Sequence, residues 1–204
     1  MRWKTNLGEE TALNTTKSDS RKIVLFSGPS AVGKSTIATA LITRHGFTKI
    51  ATSAYLKPLA LECGLDAAKA TLQQLGDGLD VQTDFAWVLD RVARPAFDAN
   101  PLVMRWLFDS VRKPEQVALF QDAFPDQVLH VHLDGGEAYL RRNYEYRLAN
   151  DPAHAGDTPY EQVIAHSNEI ASRALGSVAN MCIDVTLQST EEVAKAISIK
   201  ADAL

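Results

Sequence analysis

Cysteine is scarce in this chain. Of 204 residues only Cys63 and Cys182 are cysteines, with neither a CxxC pair nor a Cys/His cluster around them, which argues against a zinc site or a disulfide framework. Both lie in apolar stretches, LECGL and ANMCIDV, and read as reduced, partly buried thiols suited to the cytoplasm. Long apolar runs are also missing. No stretch approaches the roughly 18 apolar residues that a membrane span requires, and MRWKTNLGEETALNTTKSDSR at the N-terminus has no apolar core of a secretion signal. The expected location is therefore cytoplasmic, with no membrane partner. Charge of one sign is not in excess either: 21 Lys+Arg stand against 25 Asp+Glu, a formal net charge of −4. Such a chain has no bulk attraction for nucleic acid, although a local basic pocket can still draw small anions.

What is present is the composition of an ordinary globular domain, with 46% hydrophobic residues to fill a core. Residues 1–21 are polar, aperiodic and rich in Thr, Ser and Asn, and read as a flexible tail; residues 22–204 read as one domain. From Lys22 onward short β-branched or apolar runs alternate with longer segments of helical spacing, the pattern of a layered α/β fold. The expected strands are 22–27, 47–52, 101–110, 127–133 and 181–186, apolar on both faces as in a buried parallel sheet. Helices are expected at 34–45, 54–63, 66–76, 83–98, 114–123, 136–149, 159–175 and 190–203. Two stretches, 53–100 and 150–176, exceed simple crossovers; extra chain at the carboxyl ends of parallel strands covers a ligand crevice.

The strongest motif is Gly28-Pro29-Ser30-Ala31-Val32-Gly33-Lys34-Ser35-Thr36, which fits GxxxxGK[ST] between a strand and a helix. Gly28 and Gly33 allow the backbone angles that turn successive N–H groups inward as an anion nest, and the helix start adds its partial positive charge. Ser30, Ala31, Val32 and Gly33 would cradle the phosphates of ATP, Lys34 would reach the β- and γ-phosphates, Ser35 would ligate Mg²⁺, and Thr36 is a candidate for the α-phosphate. Thr16-Lys17-Ser18-Asp19 has the look of a guanine-reading motif but precedes the phosphate loop, so a regulatory GTPase is not indicated.

Asp109 closes an apolar strand, where it can hold Mg²⁺ through water or act as a base; the alternative is a turn or helix-cap residue. Arg112, just beyond, suits a bidentate grip on an acceptor phosphate, or else a surface ion pair. Arg141, Arg142 and Arg147 form a basic patch, for which a solvated helix face is the alternative to neutralising a migrating phosphoryl group. Leu75-Gly76-Asp77-Gly78-Leu79-Asp80 reads as a turn, with base recognition as the alternative, before a helix capped by Thr83-Asp84. His166, Asn168 and Glu169 fall on a polar helix face expected to be exposed.

Three segments follow the phosphate loop in an order that resembles the nucleoside monophosphate kinase family: Ile50 to Lys57, Leu107 to Gln116, and Leu140 to Arg147. The resemblance covers about residues 22 to 200. It implies a three-layer P-loop kinase fold, a five-stranded parallel sheet flanked by helices, with a helical acceptor-binding insertion at 53–100 and a short lid region at 141–159. It implies an ATP- and Mg²⁺-dependent transfer of the γ-phosphoryl group to a nucleoside or deoxynucleoside monophosphate, with small-molecule nucleotide partners. Thr52, Lys57, Arg112 and Gln116 would then bind the acceptor, while Lys34, Asp109, Arg112, Arg142 and Arg147 would carry the transfer. The chain departs from the family pattern: Lys57 replaces an arginine, Ser53 and Ala54 stand where Gly and Asp are common, and the lid arginines are not four apart. A phosphate acceptor, largely dianionic at neutral pH, needs no strong base, and the sequence offers none beyond Asp109. The alternatives are a P-loop kinase of a small hydroxylated metabolite, and a nucleotide-binding regulatory module with little turnover.

Overall fold

A computed structural model describes residues 21–109, 111–151 and 158–204. The readings of residues 1–20 as a tail and of 152–157 as part of a lid lie outside the described residues. Arg21 is described, and its guanidinium lies over the Phe97 ring at 5.4 Å.

Five parallel strands, β1 (Lys22–Ser27), β2 (Thr48–Ile50), β3 (Arg105–Phe108), β4 (Val128–Asp134) and β5 (Met181–Asp184), stand in the order β2-β3-β1-β4-β5. Every described pairing is parallel, with Ile23 opposite Trp106 on one side and Val128 on the other. The helices are α1 (Lys34–His45), α2 (Thr52–Glu62), α3 (Lys69–Thr83), α4 (Arg94–Ala99), α5 (Pro114–Ala123), α6 (Glu137–Asn150), α7 (Tyr160–Ile164), α8 (Ser167–Ala174) and α9 (Thr190–Asp202). The chain leaves β1 toward β2 and later crosses from β3 to β4. A crevice therefore opens at the carboxyl ends of β1 and β3, the switch point where open α/β sheets bind ligands.

The two-residue period of β1 builds two cores. Val24 and Phe26 face a cluster with Leu41 of α1, Leu140 of α6 and Ile197 of α9. Ile23 and Leu25 face another with Trp106, Phe108, Phe97 and Phe120. All four β1 residues are fully buried, as expected for a central strand covered by helices on both faces. At the carboxyl end of β1 the apolar lining gives way to a buried polar trio. Ser27 Oγ lies 2.7 Å from His130 Nε2 and 2.9 Å from His132 Nδ1. One hydroxyl proton can serve only one ring, so Ser27 donates to one histidine and accepts from the other. Burial holds both rings below the usual histidine range, His130 at about 4, so neither carries charge at neutral pH.

Several element readings are corrected. The glycine-rich stretch at 76–80 is the interior of α3, not a turn. A side chain at Gly76 would come within 3.7 Å of Trp87 and 3.8 Å of Leu56, so tertiary packing overrides the weak helix propensity of glycine. The expected cap at Thr83-Asp84 is instead the end of this helix: Asp84 and Phe85 are left-handed, at φ 49° and 64°. A π-helical stretch, Val88–Ala93, then leads into α4. The single helix expected over 159–175 is broken between α7 and α8, because the His166 ring turns back to accept the Asn168 N–H at 3.2 Å. Both cysteines are exposed rather than partly buried: Cys63 caps the end of α2 and Cys182 lies on the edge strand β5. No described helix is long and apolar enough to cross a membrane.

Candidate functional site

The turn from β1 into α1 wraps its backbone around a concave space. Gly28, Ala31 and Gly33 take φ of 130°, 65° and 98°, the alternation that brings N–H groups to one side. Gly28 is tightly confined: an added Cβ would lie 2.2 Å from the Leu133 carbonyl oxygen of β4. The Lys34 ammonium folds back to donate to the carbonyls of Gly28 at 2.5 Å and Pro29 at 2.8 Å. Burial pushes its pKa down to about 8; Glu169 opposes that shift, and Arg112 adds to it.

A cavity of about 540 Å³ opens over this loop. Ser30, Ala31, Val32, Gly33, Lys34, Ser35 and Thr36 all line it, and Asp109, the residue after β3, and Arg147 of α6 face it. It continues past Tyr139 to the β5–α9 turn at Gln188 and Thr190, leaving room beyond the loop for a nucleoside. The exposed Ser35 hydroxyl and the Asp109 carboxylate are hard oxygen donors sharing this cavity, a set that fits Mg²⁺. Among the described residues no cluster of three or more His, Cys, Asp or Glu could hold a metal by itself, so phosphate oxygens and water would complete any such ion's coordination.

Of the lid arginines, only Arg147 reaches the cavity. On α6 the face toward the loop is Tyr139, Asn143 and Arg147, each four residues apart, one row of a 3.6-residue helix. Asn143 Nδ2 donates to the Ala31 carbonyl at 3.4 Å, a contact absent from the sequence-based expectations although the spacing from Arg147 signals it. Arg142 falls off that row and lies over the Tyr139 ring at 5.6 Å, behind the cavity lining rather than in it. Arg141 pairs with Glu161 and, at 3.6 Å, with Glu145.

Two further cavities lie on the other side of the loop. One, of about 630 Å³, has Lys34, Asp109, Arg112, Thr52 and Glu169 in its walls and joins the loop to α3 and α8. The second, about 330 Å³, is enclosed by the helical insertion, with Thr52, Lys57, Arg112 and Gln116 in its lining. Its apolar wall is Leu56, Leu72, Trp87 and Val88, and its polar wall includes Gln73, Asp77 and Asp80. Asp109 pairs with Lys49 of β2.

Gln116 is buried, and its amide is spent within the protein. Its Oε1 accepts the Arg112 N–H at 3.1 Å, and its Nε2 donates to Asp80 Oδ1 at 3.1 Å, which also accepts from Trp87 Nε1 at 2.7 Å. Gln116 therefore holds the Arg112 turn while it also lines the small cavity, the side on which the resemblance would have it meet an acceptor. Burial pushes the Asp80 carboxyl up, and the hydrogen bonds from Trp87 and Gln116 offset part of that.

Glu169 and Asn168 are buried rather than exposed, at 8% and 7%, and only His166 stays at the surface. The break before α8 turns both toward the loop and α3, an orientation that the periodicity of a continuous helix could not show.

No family model matches the chain, and no curated protein matches it. Solved structures do. A gluconokinase from Sinorhizobium meliloti 1021 is 18% identical over 90% of this chain and 92% of its own, with a TM-score of 0.51. A sugar kinase from Janibacter sp. HTCC2649 is 19% identical over 90% and 95%, at 0.54. An uncharacterized protein from Eubacterium ventriosum ATCC 27560 is 9% identical over 90% and 100%, at 0.53. At these identities the likeness speaks to architecture: a five-stranded parallel sheet flanked by helices, the P-loop kinase fold.

Proposed function

We propose that the protein is a phosphotransferase that moves the γ-phosphoryl group of ATP, with Mg²⁺, onto a hydroxyl of a small hydroxylated metabolite. The observation that carries this reading is the position of Asp109, which lines both the cavity over the phosphate loop and the cavity leading to the insertion. A hydroxyl acceptor needs a base between donor and acceptor, and Asp109 supplies one there. The small cavity beyond sets Gln73, Asp77 and Asp80 beside Lys57, Arg112 and Lys113, carboxylates and an amide that suit hydroxyl groups together with cations that suit an anionic group on the acceptor. Two proteins of this fold, a gluconokinase and a sugar kinase, bear names of the same acceptor class. The resemblance to nucleoside monophosphate kinases is not supported by those neighbours. It is kept as a second reading because Arg112 lines both acceptor-side cavities, where it could grip an acceptor phosphate.

In this mechanism the loop N–H groups beyond Ser30, whose own N–H is taken by Glu169, hold the donor phosphates and Lys34 bridges toward the γ-phosphoryl group. Ser35 and, through water, Asp109 would hold Mg²⁺, which when bound neutralises charge on the phosphate oxygens. Asp109 accepts the proton of the acceptor hydroxyl while that oxygen forms its bond to the γ-phosphorus. The bond from phosphorus to the β,γ-bridging oxygen breaks, and ADP leaves. Arg147 from α6 and Arg112 from the β3–α5 turn neutralise the transferred group. Lys49, paired with Asp109, supplies a compensating positive charge beside the base.

A panel of sugars, sugar acids, other hydroxylated acids and (deoxy)nucleoside monophosphates, assayed for ADP formation with ATP and Mg²⁺, tests the assignment. Turnover is expected with a hydroxylated non-nucleotide, and Asp109→Asn should lower its kcat by about 10²-fold or more. Activity confined to nucleotides would return the second reading, and nucleotide binding without turnover on any acceptor would leave a regulatory module.

The arginines provide a separate check. Arg147→Ala is expected to weaken binding of a non-hydrolysable Mg·ATP analogue about tenfold, the scale of one charge-assisted hydrogen bond. Arg142→Ala should leave binding within about twofold, because a solvent-screened charge off the cavity contributes little. Titration calorimetry on the two variants compares them directly.

A further inference from the structure

Helix α8 touches both sides of the crevice at once. Toward the donor side, the Glu169 carboxylate accepts the Ser30 N–H with both oxygens, at 2.9 and 3.2 Å, and the Ser30 hydroxyl at 2.8 Å. Three residues on, the Ser172 hydroxyl donates to the Gly28 carbonyl at 3.0 Å. The phosphate loop is thus held at two points by one turn of helix. Toward the acceptor side, Asn168 Nδ2 lies 3.3 and 3.4 Å from the Asp77 carboxylate oxygens, and Gln73 Nε2 lies 3.1 Å from the His166 ring. Gln73 and Asp77 are four residues apart on α3, so both point from one face of that helix.

The strut is itself anchored. Arg173 donates to Glu169 at 3.0 Å, to Glu137 at the start of α6 at 2.9 Å, and to the Tyr160 hydroxyl of α7 at 3.2 Å. Glu169 and Asn168 are buried, so a lost contact leaves either of them desolvated and unpaired, whereas Asp77 and His166 at the α3 end are exposed. Among the described residues, none from α3 lines the donor cavity and none from the loop lines the small acceptor cavity. α8 therefore connects the loop to α3 directly, apart from the path that runs from Asp80 of α3 through Gln116 to the Arg112 turn.

We propose that Glu169 and Asn168 are positioning residues that make α8 a strut between the phosphate loop and α3, fixing the donor-to-acceptor distance and transmitting nucleotide binding to the acceptor wall. Neither residue touches the reacting atoms. Loosening the strut separates groups that must meet at bonding distance, and a misplacement near 1 Å is enough to cost about 10²-fold in rate. The consequence for turnover rests on the phosphotransfer reading; the mechanical link between the two walls does not.

Hydrogen exchange with Mg·ADP as the probe separates the two. In the unaltered protein, Mg·ADP is expected to slow amide exchange in the segment Lys69–Thr83 about fivefold or more, the lower range of ordinary coupling between sites. In Glu169→Gln the nucleotide should still bind while that slowing falls below about twofold. Asn168→Ala, which leaves the loop contacts untouched, should show the same loss and serves if the first variant folds poorly. With an acceptor found in the panel, Glu169→Gln should lower kcat by as much as about 10²-fold and leave the KM for ATP nearly unchanged. A residue that merely stabilises the fold would lower Tm and leave both the linked slowing and the kcat of folded enzyme intact. The proposal is overturned if Lys69–Thr83 does not respond to Mg·ADP in the unaltered protein, or if it responds equally in both variants. Because the exchange experiment needs no acceptor, a failed acceptor panel overturns the proposed function and leaves this result readable.

Discussion

Gly28→Ala will lower the protein's stability sharply, while Gly33→Ala, in the same motif, will cost less. At Gly28 an added methyl group would sit 2.2 Å from the Leu133 carbonyl oxygen and 3.1 Å from its carbon, and the backbone is held at φ 130°. The obstacle is main chain of a central strand and cannot rotate away. Steric overlap and backbone strain together should cost about 3 kcal/mol or more, a fall of roughly 10 °C in Tm for a chain of this size. At Gly33 φ is 98°, but nothing lies within 4 Å of an added Cβ, so strain alone acts and the loss should be about 1–2 kcal/mol. Thermal melts of the two variants measure the difference. Equal losses would mean that Leu133 does not confine the loop.

The second large effect is expected at Lys34. Lys34→Met should reduce turnover by about 10³-fold, since it removes the mobile charge aimed at the transferring group. The pH dependence of the unaltered protein carries a further test. With its pKa pushed down to about 8, Lys34 loses its proton just above neutral pH in the free protein, while bound phosphates would keep it charged. Nucleotide affinity should hold below pH 8 and fall about tenfold per unit above it. Stability should move the other way. The unfolded chain keeps its lysine protonated up to an ordinary value near 10.4, so between about pH 8 and 10 the unfolded state binds more protons and folding stability rises with pH from this group. Calorimetric titration with Mg·ADP and denaturant unfolding across that window should show opposite slopes.

Much of the architecture is legible in the sequence because it rests on local signals. β1, α1 and α5 fall on their expected bounds, each fixed by a β-branched run, a glycine turn or a proline at the first helical turn. The phosphate loop is legible because its chemistry lies in consecutive residues. The acceptor side is not, since its residues meet only after folding. Gly76 and Gly78 read as a turn because their local preference is for one; packing against the ring of Trp87, eleven positions beyond Gly76, keeps this stretch inside a helix. Glu169 reads as solvated because helical spacing assumes one unbroken axis, and the His166 cap rotates α8 away from that axis. Arg142 and Arg147 are legible as lying roughly 140° apart around one helix, but how α6 is laid against the loop, which decides that Arg147 faces the donor cavity, is set only by the fold.

The helical insertion leaves from β2 and returns at β3, and these two strands lie side by side at one edge of the sheet. Its two attachment points therefore lie on neighbouring strands, while its Trp87, Leu89 and Phe97 reach back to close the core over Ile23 and Leu25 of β1, the strand that leads into the phosphate loop. Residues 52–99 are thus rooted twice, at adjoining strand ends and in the floor under the loop, and a segment transplanted from another chain of this fold would have to bring matching apolar side chains before it could bring a new appetite.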